Sequence, residues 1–245
     1  MFEHNLDPGT INALDAIGVS SGCDCLEVGP GGGSIAEWLC TKIGPEGKVT
    51  AVDLNTRLID VLEYANLEAR KLNVVTEDLP RREYDLVHAR FLLAHLHERE
   101  SVLAKLSQTL WPGGWILVEE PDFGTEEPDP TGEASMRRLF KAGMAAIHKH
   151  LDNRGVDRHF GSRLFGKLNS LGFTQVKAGG RPITTHGGTR ESKEMSLTTE
   201  QLQVGSIATG LIFEREYSEF KSLFDDECFS WRFYLMTSTW DQKPE

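Results

Sequence analysis

The sequence predicts an α/β protein built on a doubly wound, mostly parallel sheet, and three observations carry that prediction. A short apolar run, Cys25-Leu26-Glu27-Val28, breaks into a turn holding Gly29, Gly31, Gly32 and Gly33, and Ser34 to Leu39 then shows apolar residues at helical spacing. A second apolar run, Lys48 to Val52, ends on an acid, Asp53. Later, Trp111-Pro112-Gly113-Gly114 leads into Trp115-Ile116-Leu117-Val118. Buried parallel strands followed by turns and helices produce this pattern.

The glycine turn lets the backbone bend sharply and approach a ligand with no Cβ in the way. A nucleotide-type cofactor fits across such a turn, and two features argue against a dinucleotide. Counting from Gly29, the sixth position is Ser34 rather than the third glycine of the pyrophosphate fingerprint, and Pro30 stiffens the turn. Glu27 just before the glycines would repel a pyrophosphate but welcome the ammonium of an amino-acid moiety. Asp53 can accept two hydrogen bonds from the vicinal hydroxyls of a ribose. Its alternative role is to cap a helix starting near Asn55, which would not exclude ribose binding. Leu67 to Leu72 is the expected third strand, ending at Asn73-Val74. Tyr84 to Arg90 is the fourth.

The motif Glu27-x-Gly29-x-Gly31-x-Gly33, followed by Asp53, then Tyr84-Asp85-Leu86-Val87-His88-Ala89-Arg90, then Trp111 to Glu120, resembles the class I S-adenosylmethionine-dependent methyltransferases. The landmarks span Cys25 to Asp122 in the family's order. The resemblance implies a seven-stranded Rossmann-like sheet with its last strand antiparallel. It also implies S-adenosyl-L-methionine as cofactor and S-adenosyl-L-homocysteine as product. The cofactor contacts it carries over are Glu27, Gly29, Gly31, Gly33, Asp53, Leu54, Asn73, Val74, Ala89 and Arg90. The family usually places an acid against the adenine amine. Here that position is Asn73 by spacing, or Asp78 if an acid is required. Asn73 is preferred, because its side-chain carbonyl can still accept a hydrogen bond, while Asp78 lies in the turn-like Glu77-Asp78-Leu79-Pro80.

The chain of 245 residues is long enough for one sizeable core, as one domain or a domain with an insert, and its 39% hydrophobic and 26% charged content is ordinary for a globular protein. No apolar run approaches the roughly 20 residues that span a bilayer. The start, MFEHNLDPGT, lacks a basic-then-apolar leader, so the cytoplasm is the expected compartment. A formal charge of −11 disfavours nucleic-acid partners. Cys23, Cys25, Cys40 and Cys228 show no disulfide framework, and Cys23-x-Cys25 lacks the second pair a zinc site needs, so no metal is expected.

Residues 1–122 are the expected cofactor-binding core, 123–172 a helical lid inserted between strands five and six, and 173–245 the rest of the core. Within the insert, Glu133 to Leu151 and Phe160 to Leu171 read as helices. Placed between strands five and six, they would lie over the carboxyl ends of the strands and close on a small acceptor. Packing on the core is the alternative role, and the lid helices also offer a surface for a homodimer. Phe173 to Val176 is the expected sixth strand, Thr199 to Asp226 is helical, and Phe229 to Trp240 is the seventh strand.

Methyl transfer is an in-line displacement that needs alignment, exclusion of water and, for a hydroxyl or ammonium nucleophile, a base. His95, just after the fourth strand, is the first candidate, with packing or capping as its alternative. Asp122, beyond the fifth strand, is the second. Glu119 and Glu120 alternate faces, so at most one can point to the cleft. His148 and His159 are reserves on the lid. The expected activity is methylation of a small metabolic or natural-product acceptor. A cyclase that retains the cofactor, an NAD-dependent oxidoreductase and a non-catalytic regulatory protein are the alternatives.

Overall fold

The computed structural model describes residues 3–245. Its first half contains α1 (Glu3–Ile17), β1 (Asp24–Val28), α2 (Ser34–Ile43), β2 (Lys48–Asp53), β3 (Leu67–Lys71), β4 (Tyr84–Arg90), α3 (Arg99–Thr109) and β5 (Leu110–Asp122). Then follow β6 (Glu127–Pro128), α4 (Ala134–Asn153), α5 (Phe160–Ser170), β7 (Lys177–Arg181) and β8 (Thr184–His186). The chain ends with α6 (Arg190–Ile207), α7 (Glu214–Ser222), β9 (Ser230–Arg232) and β10 (Leu235–Gln242).

Seven strands form one sheet in the order β3-β2-β1-β4-β5-β10-β7. β1 to β5 pair in parallel, and β10 runs antiparallel to both β5 and β7. This is the mostly parallel seven-stranded sheet that the sequence predicts. The strand order reverses between β1 and β4, the point where an open α/β sheet leaves a crevice at its carboxyl ends. The glycine turn follows β1 and therefore lies at that crevice.

Side chains alternate across the sheet, which explains the two core layers. Leu26, Val28, Val87, Ala89 and Val118 face α3 and α5, meeting Leu103, Leu106, Phe160 and Leu164. Cys25, Val49, Leu86 and Leu117 face the other way, onto Leu14 and Ile17 of α1 and Ile35, Leu39 and Ile43 of α2. A third cluster lies outside the sheet. It joins Phe140, Met144 and Ile147 of α4 to Met195 of α6, Phe220 of α7, and Trp231 of β9. The short strands pair there as a second sheet, β6-β9-β8.

The expected helical pair between strands five and six is present, and its members go to different places. α5 packs on β5 and β10, whereas α4 packs against α6 and α7. The helical layer outside the sheet is therefore contributed by chain on both sides of β7. Other elements differ from expectation for identifiable reasons. The sixth strand is Lys177–Arg181 rather than Phe173–Val176, because Phe173 is buried as a core-packing connection while the strand itself is exposed. Phe229 to Trp240 splits into β9 and β10, with Phe233 and Tyr234 turned into the third cluster between them. After Asn55 there is only a single 3-10 turn, Thr56–Leu58, in place of a helix. The Trp111–Gly114 segment is a bulge within β5, since Tyr84 pairs with Leu110 and Leu86 already with Trp115. α1 escapes the sequence pattern because Pro8 and Gly9 interrupt it.

Candidate functional site

The crevice begins at the glycine turn. Gly29, Gly31 and Gly33 all have positive φ, at 71°, 59° and 92°. Gly33 is the strictest of the three. It is the left-handed residue that starts α2, and a Cβ there would lie 2.7 Å from Leu62 and 2.9 Å from Ile59. A Cβ on Gly29 would touch Leu92 at 3.4 Å, so the turn is also in contact with the segment that follows β4.

Asp53 ends β2 on the neighbouring strand, half-buried, with Oδ1 accepting the Asn55 N–H at 2.9 Å. Beside it Leu54 is 63% exposed, an apolar side chain on the rim of the crevice. Asn73 follows β3, where its Oδ1 accepts the Val75 N–H at 3.0 Å and its own N–H donates to Glu77 at 2.7 Å. A carbonyl oxygen has a second lone pair, so the turn leaves it able to accept once more. Val74 is buried in the core, which limits it to backbone contacts, and Asp78 is exposed in the following loop.

Glu27 is the main surprise on this side. Instead of standing free, its carboxylate pairs with Nδ1 of His88 at 2.7 Å, and Nε2 of the same ring lies 3.2 Å from Glu119. All three side chains are buried. Burial opposes a charge on His88. The Glu27 charge and the hydrogen bonds to Glu119 and Glu27 outweigh it and hold the imidazole up to about 9. Burial likewise pushes Glu119 up. The His88 hydrogen bond and charge, with Ser238 and Thr10, draw it below the ordinary carboxylate range. The network continues to α1. Thr10 donates to Glu119, Arg90 donates to Thr10 and Asp7 at 2.8 Å each, and Ser34 donates to Asp7 at 3.1 Å. Ala89, beside His88, is fully buried.

The segment after β4 separates the glycine turn from a second space. Phe91 has φ 57°, an uncommon conformation for a bulky residue, and a 3-10 turn over Leu93–His95 follows it. Glu120, buried on the opposite face from Glu119, ties this turn down. It accepts the N–H groups of Leu92, Leu93 and Ala94 at 3.0, 2.6 and 3.2 Å. Burial raises its carboxyl to about 7 against the pull of those three donors. The two adjacent glutamates thus hold the two sides of the sheet's carboxyl end.

Beyond Phe91 is an apolar cavity of about 180 Å³, lined by Phe91, His95, Phe123, Glu126, His148 and Tyr234 with aliphatic residues from α4 and α6. His95 stacks on Phe91 at 5.6 Å between ring centres. Burial, then Arg154 and Arg99, lowers its pKa from the ordinary histidine value. Asp122 does not line this cavity. Its carboxylate accepts from Ser162, from His159 Nδ1 at 2.9 Å and from the Gly124 N–H at 3.0 Å. Of the two expected catalytic groups, the structure brings only His95 to the cavity. Glu126 reaches it too, from the segment after β5, and no local motif in the sequence marks it. Among the described residues no three His, Cys, Asp or Glu side chains gather as a metal site, and no helix is long and apolar enough to cross a membrane.

Comparisons with known proteins agree with this geometry. A family model described as a methyltransferase domain matches residues 6–155. Methyltransferase str3 of Strobilurus tenacellus is 33% identical over 148 residues, which is 59% of this chain and 50% of that protein. The ubiquinone/menaquinone biosynthesis C-methyltransferase UbiE of Hahella chejuensis is 28% identical over 115 residues, 44% of this chain and 46% of its own length. The chain spans about half the length of the curated relatives it matches. Among solved structures, the phosphoethanolamine N-methyltransferase 2 of Haemonchus contortus, in complex with S-adenosyl-L-methionine, shares the fold. Its TM-score is 0.59 at 16% identity, covering 97% of this chain and 53% of that one.

Proposed function

The chain belongs to the methyltransferase-domain family, and from that premise we propose that it uses S-adenosyl-L-methionine to methylate a small-molecule acceptor. The observation that carries the proposal is the placement of the glycine turn and Asp53 at the carboxyl ends of adjacent strands, at the point where strand order reverses. The site fits the cofactor in three respects. The Cβ-free turn leaves room for backbone contact, Asp53 offers its second oxygen to ribose hydroxyls, and exposed Leu54 gives an apolar surface beside it. Asn73 and the Val74 backbone mark the adenine end.

Once bound, the cofactor supplies a methyl group on a sulfonium, a good leaving group. The chain's own work is to bind, align and exclude water. Glu27, His88 and Glu119 set two carboxylates against one imidazolium. The residual negative charge in a buried site favours a cationic ligand. Arg90, held by Asp7 and Thr10, ties α1 over this end of the site. Glu120 fixes the turn that carries His95, a cavity-lining residue that in this reading takes a proton from the acceptor. Asp122 is committed to Ser162 and His159, which leaves His95 as the base of this scheme. The acceptor enters the cavity beyond Phe91, under the cap formed by α4 and α6.

A homodimer through the cap helices belongs to the same proposal. Leu197 and Val204 on α6 and Leu211 and Phe213 just after it are exposed apolar side chains. Sedimentation equilibrium at micromolar concentration should give a dimer mass, and a monomer mass would remove this part.

Calorimetric titration with S-adenosylmethionine, S-adenosylhomocysteine and NADH in parallel tests the cofactor. Micromolar binding of the first two without a response to NADH is expected. Silence from both sulfur compounds would overturn the proposal. An acceptor screen read by a mass gain of one CH₂ then separates methyl transfer from cyclisation, which adds no mass.

A further inference from the structure

The cavity beyond Phe91 is lined in part by Glu126, a buried acid with one oxygen that bonds nothing among the described residues. Glu126 is 8% exposed, and its Oε2 pairs with Nε2 of His148 at 3.0 Å. Its Oε1 is buried and has no hydrogen-bond partner among the described residues. A carboxylate oxygen left in this state costs roughly 1–3 kcal/mol or more, so it calls for a donor, which a ligand or an ordered water supplies.

The surroundings specify that donor. Phe91, Phe123 and Tyr234 meet edge to face, with ring centres 5.0 to 5.9 Å apart and interplanar angles of 65° to 73°. Met144, Ile147 and Leu202 close the other side. The volume of about 180 Å³ is comparable with the roughly 150 Å³ apolar cavity that holds one benzene ring. Edge-to-face rings favour another flat ring as guest. With the His148 ring already on one oxygen, the carboxylate lacks a single donor. A neutral hydroxyl supplies it without the cost of stripping water from a cation in an apolar space.

From this we infer that the cavity is the acceptor subsite and that it takes a single-ring aromatic compound whose hydroxyl donates to Glu126 Oε1. The inference rests on the methyltransferase reading for the word acceptor, but the binding it describes is independent of turnover. Glu126 recognises and positions the ring, and His148, with its side chain 19% exposed, links the buried carboxylate to solvent.

Titration followed by chemical-shift perturbation, with and without S-adenosylhomocysteine, tests it with three single-ring probes of similar size: 4-methylphenol, toluene and benzylammonium. 4-Methylphenol should bind at least tenfold more tightly than toluene, the ratio expected for one buried hydrogen bond. Glu126→Leu should abolish that preference while toluene affinity stays within about threefold. Glu126→Gln, which keeps the shape and guards against a folding failure, should reduce the preference without abolishing it. Equal affinity for 4-methylphenol and toluene would overturn the hydroxyl contact, as would stronger binding of benzylammonium. Failure of all three to bind would overturn the subsite. A protein that binds 4-methylphenol in this manner but ignores S-adenosylhomocysteine would keep the subsite and lose the methyl-transfer reading.

Discussion

Nδ1 of His88 lies 2.7 Å from Oε2 of Glu27, entirely inside the sheet. With Glu119 on its other nitrogen, the ring is held as a cation up to about 9, against an ordinary value near 6.5. A histidine whose pKa rises on folding contributes stability that is complete below about pH 6.5 and is lost as pH climbs through about 9. The melting temperature should therefore fall across that window. Glu120, raised to about 7, slopes in the same direction, so the informative quantity is the difference between wild type and His88→Gln. The variant should be less stable by about 3–5 kcal/mol at pH 6, where two buried carboxylates lose their cation. Its deficit should shrink toward pH 9.5. A constant deficit across the range would show that His88 is neutral in the folded protein.

Gly33→Ala places a methyl group where Leu62 and Ile59 already stand and forces a left-handed alanine at φ 92°. Such a conformation costs on the order of 1–3 kcal/mol before any clash. The start of α2 should shift, and cofactor affinity should fall at least tenfold by calorimetry. Gly9→Ala, where an added Cβ meets nothing within 4 Å, is the control and should bind normally.

Asp53→Ala should weaken cofactor binding by about 1–3 kcal/mol, the loss of hydrogen bonds to a charged group. The Asn55 N–H loses its acceptor too, but at an exposed position where water replaces it. Thermal stability should therefore change little. Unchanged affinity for S-adenosylhomocysteine would remove Asp53 from the ribose role.

The parts of this molecule that could be read in advance are those with local signals. Gly29, Gly31 and Gly33 announce a backbone conformation, and Asp53 stands one residue past an apolar strand. Both lie where expected because a turn and a strand end are properties of a few consecutive residues. Glu27 was legible as an acid at the site but not as His88's partner, since the two are 61 positions apart and meet only through the β1–β4 register. The same holds for Glu126 and His148, on a loop and on α4, whose meeting depends on how the cap folds back. Asp122 looked available because its partners, His159 and Ser162, come from the beginning of α5. Lys177–Arg181 was unreadable as a strand for a different reason. An exposed edge strand has no apolar alternation to display.

Glu120 supports the 92–95 segment from beneath, and its removal should show how much that support is worth. Glu120→Ala leaves three N–H groups without an acceptor, two of them buried, at roughly 1–3 kcal/mol for each buried one before water enters. A loss of at least about 2 kcal/mol in urea unfolding is expected. Glu120→Gln, whose carbonyl can still accept, should recover part of it. Stability within about 0.5 kcal/mol of wild type would mean that the segment holds itself.

His95 brings the mechanism to a single side chain. Burial and two nearby arginines lower its pKa, so at neutral pH the ring is already unprotonated and able to accept a proton. Turnover should accordingly hold steady at neutral pH, with its acid limb displaced to the acid side of the ordinary histidine range. His95→Ala should reduce turnover by roughly 100-fold or more while leaving the affinity for S-adenosylhomocysteine nearly unchanged, because Leu92 rather than His95 touches the glycine turn. The acid limb should vanish with the ring. If turnover stays near normal, His95 only packs on Phe91, and the acceptor must lose its proton elsewhere or have none to lose.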